Sequence, residues 1–483
     1  MKRSRYGGFM ANFYDISVWR GLLLFGLLFA SLIVANILKT QVPFLKKSLI
    51  PNSVLGGIIM FVISSIVYFT TGDYLFNLPV FSANGSGIAT LEVVTYHCLA
   101  IGFIAMTLRP SGRKLTKART GEILNSGITT VNTYLLQGIL GITVTLICTL
   151  VIADFAGGSG VLLCFGYGQG TGQALNIGGN FDASMETTGI YKNIGLSLAA
   201  IGFMVASIVG VIYINILRKK GKLSYKEAAS AVLKTEDVVG ENEPPLNESV
   251  DKLSIQIALI VLTYLVAYGI MFLLGNVILK GGNMIGTVYG FNFLFGVIAA
   301  TLVKSVLKLL KKAKLLKKDY VNTFLLNRVS GFAFDMMIVA GICAIQIDLV
   351  SGYIVPIVIL AVIGAVATFF YVNFICKKLF PEYRYEQFLA FFGMLTGTAS
   401  TGMILLREAD PNLESPVSEN LVYQNLPAII LGFPIMLIAG SLTAHPRDLA
   451  NTLIMFGIIF AVFVVLNVVL FRKYIFKKRA KNG

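Results

Sequence analysis

A helical, multi-pass membrane fold is what this chain of 483 residues predicts, and three observations predict it. Hydrophobic residues make up 56% and charged residues only 13%, with a mean hydropathy of +0.78; a soluble domain carries about twice that charge. Apolar runs of about 20 residues, the length that carries one helix across a bilayer, recur along the whole sequence. The basic residues behind the net charge of +16 gather in short stretches between those runs. That is how loops facing anionic lipid are built, not a nucleic-acid-binding surface. Five cysteines (Cys98, Cys148, Cys164, Cys343, Cys376) are scattered with no metal spacing and no evident disulfide framework. Two histidines, His97 and His445, are too few for a histidine-based metal or catalytic site.

In chain order, the first span is Val18–Leu38; basic residues precede it as in a signal peptide, but the run is long for one. Spans follow at Val54–Thr71, Leu91–Leu108 and Ile123–Ala153, the last long enough to require tilt or an interfacial turn. A broken, glycine-rich segment, 156–180, precedes span five at Thr188–Leu217. Residues 218–252 hold Arg-Lys-Lys-Gly-Lys and then Glu-Asn-Glu-Pro-Pro-Leu-Asn-Glu-Ser, and read as a cytoplasmic linker between halves 1–217 and 253–442. The second half repeats the count at Leu253–Leu279, Met284–Leu307, Thr323–Ile347 and Ile354–Cys376, a second broken segment at 386–406, then Asn420–Leu442. Residues 443–483 add one span, Leu449–Phe471, and a basic tail.

Charge orients these spans. Arg109–Arg119 carries five basic residues, Arg218–Lys234 six and Lys304–Lys318 seven, whereas the loops 72–90, 154–188 and 348–353 carry none. Alternate loops are therefore cytoplasmic, with the C-terminus inside and the N-terminus outside. The N-terminal Lys2, Arg3, Arg5 and Arg20 run against this rule.

The two broken segments echo each other. Phe165-Gly166-Tyr167-Gly168-Gln169-Gly170-Thr171 and Phe392-Gly393-Met394-Leu395-Thr396-Gly397-Thr398 agree at four of seven positions. Tyr191-Lys192-Asn193 then answers Tyr423-Gln424-Asn425 in the same order. Five spans per half is an odd number, so the halves are inverted and the segments enter the membrane from opposite faces. The expected fold is thus all-α: two inverted five-span repeats, each with a re-entrant hairpin, plus one extra span. Interrupted helices meeting near the midplane are the architecture of secondary transporters.

Irregular backbone at that depth must be buried or line a wet cavity. Glycine permits the turn and the close approach of a substrate. Small residues at this spacing also serve tight helix packing; the repeat favours a site. Hairpin-tip N–H groups suit a carboxylate. Carbonyls and the hydroxyls of Thr171, Thr396, Thr398, Ser400 and Thr401 suit sodium, with Asp335, Thr171 and Thr398 as candidate ligands. Asp335 is an intramembrane acid, either a cation or proton carrier or structurally paired. Asn193 and Asn425 are ligands or helix caps, Arg407 is a basic residue close enough to a hairpin to meet an anion, and Asn125, Asn132 and Gln137 read as interhelical glue. Asp182, Glu186, Glu408 and Asp410 read as interfacial anchors, and His97 as a polar core residue.

With those segments at Gly166–Thr171 and Gly393–Thr398, residues 18–442 resemble the bacterial sodium/glutamate symporter family. The resemblance implies sodium-coupled uptake of L-glutamate across the bacterial inner membrane, a homodimer, and elevator-like movement, with sodium as coupling ion and no organic cofactor. A sodium- or proton-coupled carrier of another small carboxylate is the alternative, and an ion channel a further one. An enzyme is not expected: there is no histidine metal motif, and Gly166–Gly172 is no phosphate loop because no lysine follows it.

Overall fold

The computed structural model describes residues 13–109, 117–223, 251–280, 285–316, 320–410 and 414–479. Every regular element among them is helical, and eleven helices are long and apolar enough to cross a membrane. The chain opens with α1 (Ile16–Gln41), α2 (Asn52–Thr71), α3 (Gly87–Leu108) and α4 (Lys117–Cys148). Two shorter helices, α5 (Leu162–Gln169) and α6 (Thr171–Met185), lead to the long α7 (Ile190–Lys219). Then come α8 (Lys252–Phe272), α9 (Asn292–Lys312), α10 (Thr323–Cys343) and α11 (Ile354–Leu379). The short pair α12 (Arg384–Leu395) and α13 (Ala399–Ala409) precedes α14 (Asn425–Ala444) and α15 (Leu449–Arg479). Most of the expected linker, and the basic residues Lys2, Arg3 and Arg5, lie outside the described residues.

Two expected spans differ in detail. The run Met284–Leu307 is two helices, a short one at Ile285–Gly290 and then α9. The break is stabilised by Asn292, whose amide donates to Tyr96 O (2.9 Å) and to the Tyr264 hydroxyl (3.2 Å). The run Ile123–Ala153 is a helix only to Cys148. Beyond it, turns carry the chain to Asp154, whose carboxylate pairs with Arg447 at 2.7 and 2.8 Å.

The two halves interlock. The third helix of each half crosses the other: a Cβ at Gly102 of α3 would lie 2.6 Å from the Phe334 ring of α10, and Ser330 donates to Gly102 O at 3.0 Å. The second helix of each half lies on the third helix of the other half. α2 meets α10 at Gly57 against Ile342, and α9 meets α3 at Gly296 against Ile104, each with room for no Cβ beyond 2.9 Å. Both second helices also begin with asparagine, Asn52 and Asn292, four residues before a glycine. Where lipid surrounds a protein, such close approach supplies the dispersion contacts that hold helices together.

The outer faces are apolar, as a hydrocarbon solvent demands. Phe69, Phe370, Ile430 and Val465 are among the exposed side chains, while Phe165, Tyr167, Phe388, Phe391 and Phe392 are fully buried at the short helix pairs. The short helix pairs are therefore deeply buried in the molecule.

Candidate functional site

α7 is the scaffold for both short pairs. Ala156, before α5, donates its N–H to the Tyr191 hydroxyl at 2.9 Å. Gly178, on α6, packs against the backbone of the same Tyr191 and of Lys192. The chain before and after the break at Gly170 thus returns to one level, so α5 and α6 form a helical hairpin with its base at the start of α7. Asp182 locks that base: its carboxylate accepts the N–H groups of Tyr191 and Lys192, both at 2.9 Å, and the Thr187 hydroxyl at 2.5 Å.

The second hairpin has its base at the other end. Arg218 donates to Glu408 O (2.9 Å) and pairs with its carboxylate (3.1 Å), and Lys222 lies over the Tyr385 ring. α12 and α13 touch closely, since a Cβ on Gly402 would lie 2.4 Å from Ala390 O. Both tips arrive at the middle of α7. Thr396 O lies against Gly202, and the α-carbon of Gly170 faces the Phe203 ring. The tips also meet each other: a Cβ at Gly170 would stand 3.6 Å from the Thr398 methyl. The hairpins therefore approach from opposite ends of one helix and touch tip to tip.

Gly170 makes the first tip possible. Its φ of +84° and ψ of −173° belong to a region reserved for glycine. The helix breaks there, and α6 restarts with Ala174 N–H to Gly170 O as its first bond (3.2 Å). The N–H groups of Thr171, Gly172 and Gln173 therefore have no partner within the helix. At the second tip, Thr398 caps α13 by accepting Thr401 N–H (3.4 Å), which leaves the N–H groups of Ala399 and Ser400 at the helix start.

α4 and α11 hold the tips in place. Tyr134 donates to Gly168 O (3.0 Å), Tyr167 to Ala361 O (2.7 Å), and Gln137 to both Leu395 O and the Thr368 hydroxyl (2.9 Å each). Gln137 is thus the interhelical link its sequence suggests.

Between the tips, α3, α4 and α14 lies a cavity of about 130 Å³. Gly168, Gln169, Gly397, Thr398, Ser400 and Asn425, all singled out in the sequence, line it. Among the described residues its remaining polar groups are Thr130, Tyr134 and Gln173; Phe103, Phe293, Phe334, Met337 and Met394 are among its apolar ones. No acidic or basic side chain lines it among the described residues.

The other sequence candidates fall elsewhere. Gly166 and Gly393 are packing positions, against Gly195 O on α7 and Gly402 on α13. Thr171 is buried and donates to Met337 O (3.2 Å), Thr396 donates back to Phe392 O (2.7 Å), and Thr401 is buried with its hydroxyl 3.4 Å from that of Thr398. Asp335 is not at the tips. Met337 faces the cavity, and two helical residues turn the chain by roughly 200°, so Asp335 is exposed beside Ser53 at the start of α2. Arg407 is exposed on α13, seven residues and about 10 Å beyond Ser400. Asn193 sits about 15 Å from the tip level and links loops, accepting Gln346 N–H (2.6 Å) and donating to Gly189 O (2.8 Å). Asn425 borders the cavity and also donates to Leu421 O (3.3 Å).

Gln173, like Tyr134, is a residue that sequence reasoning missed. It is 1% exposed and neither its amide oxygen nor its nitrogen has a protein partner. A buried amide without partners is costly, and here it lines a cavity. The available signal was position: it lies in the first turn after the break at Gly170.

Comparison with family models gives no match, and comparison with curated proteins gives none either.

Proposed function

We propose that this protein is a secondary active transporter that carries a small carboxylate through a bacterial cell membrane, coupled to sodium. The single observation behind this reading is the meeting of two helical hairpins, based at opposite ends of α7, beside a cavity lined by both tips. In a membrane those hairpins are re-entrant segments of two inverted halves, and the cavity lies near the midplane. Broken helices paired in this way bind substrate in inverted-repeat carriers. The carboxylate sits at the N-terminal ends of α6 and α13. Sodium is cargo rather than a resident cofactor, and the oxygens that suit it are the hydroxyls of Thr398 and Thr401 with the neighbouring tip carbonyls. Asp335 is too far round α10 to join that set.

The resemblance to the sodium/glutamate symporters nominates L-glutamate as the first substrate to try, and the same resemblance underlies an elevator motion and a homodimer. The test is uptake of labelled L-glutamate and a panel of other small carboxylates into proteoliposomes, with and without an inward sodium gradient. Saturable, gradient-driven uptake of any of them supports the carrier. Non-saturating flux at channel rates, or no flux of any carboxylate by folded protein, refutes it.

A further inference from the structure

The lining of the cavity carries a statement about substrate charge that the transporter reading leaves open. Two helices begin at the cavity, α6 with 15 residues and α13 with 11. A helix N-terminus acts as roughly half a positive elementary charge, so the pair matches one carboxylate. The amide of Gln173, buried and without a protein partner, adds one neutral donor and one neutral acceptor beside it. Among the described residues, no side chain of the lining answers a second charge: there is no Lys, Arg or His for another carboxylate, and no Asp or Glu for an ammonium. Much of the remaining lining is apolar. Phe103 packs against Phe293 and Phe334 with ring centroids 5.1 and 5.5 Å apart. An unpaired charge brought against such a wall forfeits its hydration without compensation.

We infer that the substrate bears a single carboxylate on an uncharged, largely apolar body, bound with its carboxylate at the starts of α6 and α13 and its body against the Phe103 cluster. Gln173 is the residue that selects for it, holding a carboxylate oxygen or an adjacent carbonyl. This inference rests on the carrier reading for its transport role but not for its binding.

A set of four compounds on one five-carbon skeleton separates the charges. 2-Oxopentanoate has one carboxylate, 2-oxoglutarate adds a second, norvaline adds an ammonium instead, and glutamate has all three. Binding of each to the purified full chain, measured calorimetrically in detergent with sodium chloride present, is compared with flux of each into proteoliposomes. The expected result is that 2-oxopentanoate binds at least roughly tenfold more tightly than the other three. Gln173→Leu, which removes two unpartnered polar atoms and leaves the fold intact, weakens that binding without lowering the unfolding temperature. Equal or tighter binding of 2-oxoglutarate, norvaline or glutamate overturns the single-charge inference while leaving a carrier standing. Binding of 2-oxopentanoate without flux refutes the carrier and keeps the site. Binding of none of the four by folded protein overturns the site itself, as does a Gln173→Leu variant that binds 2-oxopentanoate as the wild type does.

Discussion

Replacing Gly170 by alanine isolates backbone conformation from space. A Cβ there would meet Phe203 and Thr398 at 3.6 Å and Met337 at 3.8 Å, which is ordinary van der Waals contact. The methyl group fits, so the penalty comes from φ +84° and ψ −173°, a conformation that costs an L-residue about 1–3 kcal/mol. If that cost falls on the population of the intact tip, transport drops by roughly 5- to 150-fold, since about 1.4 kcal/mol is a factor of ten. The matched control is Gly138→Ala on α4, where nothing lies within 4 Å of the added carbon and alanine improves helix propensity by up to about 1 kcal/mol. Uptake by proteoliposomes and thermal unfolding in detergent are measured on both variants. The expected result is lost uptake for Gly170→Ala and wild-type or better behaviour for Gly138→Ala. Wild-type uptake and unfolding temperature in Gly170→Ala would refute the claim that this backbone conformation is what builds the tip.

Three other outcomes are expected. Single cysteines at Ser184 and Glu382, both exposed at the hairpin bases, will react with a membrane-impermeant thiol reagent from opposite faces; labelling from one face contradicts the inverted arrangement. Gln137→Leu strands Leu395 O at the second tip and will cost about 1–3 kcal/mol of stability, read as a lower unfolding temperature; no change means the tip is held otherwise. The exposed Arg447 guanidinium holds the Asp154 carboxyl below its usual range, so this pair's stabilisation is present above the ordinary carboxylate value and fades as pH falls through the lowered one. The difference in unfolding temperature between wild type and Asp154→Asn will therefore shrink as pH falls below about 4, and a difference independent of pH contradicts the pairing.

What the sequence disclosed and what it withheld divide along one physical line. Apolar run length reports depth, so all eleven helices long and apolar enough to cross a membrane were legible, and helix-breaking glycines reported where Gly170 and Gly397 interrupt the two short helix pairs. Depth is not facing. Asp335 has the depth of the tips but lies on the wrong side of α10, and nothing in Gly-Phe-Ala-Phe-Asp-Met-Met marks Met337 as the residue turned inward. Arg407 is near the second tip in sequence, yet a regular helix carries it a further seven residues away. Gln173 and Tyr134 were invisible for a related reason. Their roles depend on which neighbours they lack or find, Gln173 having no partner and Tyr134 meeting Gly168 O across 34 residues.

α7 works as a ruler. Between Tyr191 at one hairpin base and Arg218 at the other it measures about 40 Å, and both tips are read off its centre at Gly202 and Phe203. One residue inserted between Gly195 and Gly202 would shift the inner half by about 1.5 Å and swing it by roughly 100°. Each hairpin would keep its own seat at one end of the helix, yet the two tips would no longer share a wall. The spacing within α7, rather than any single side chain in the cavity, is therefore what commits two separately folded hairpins to one common chamber.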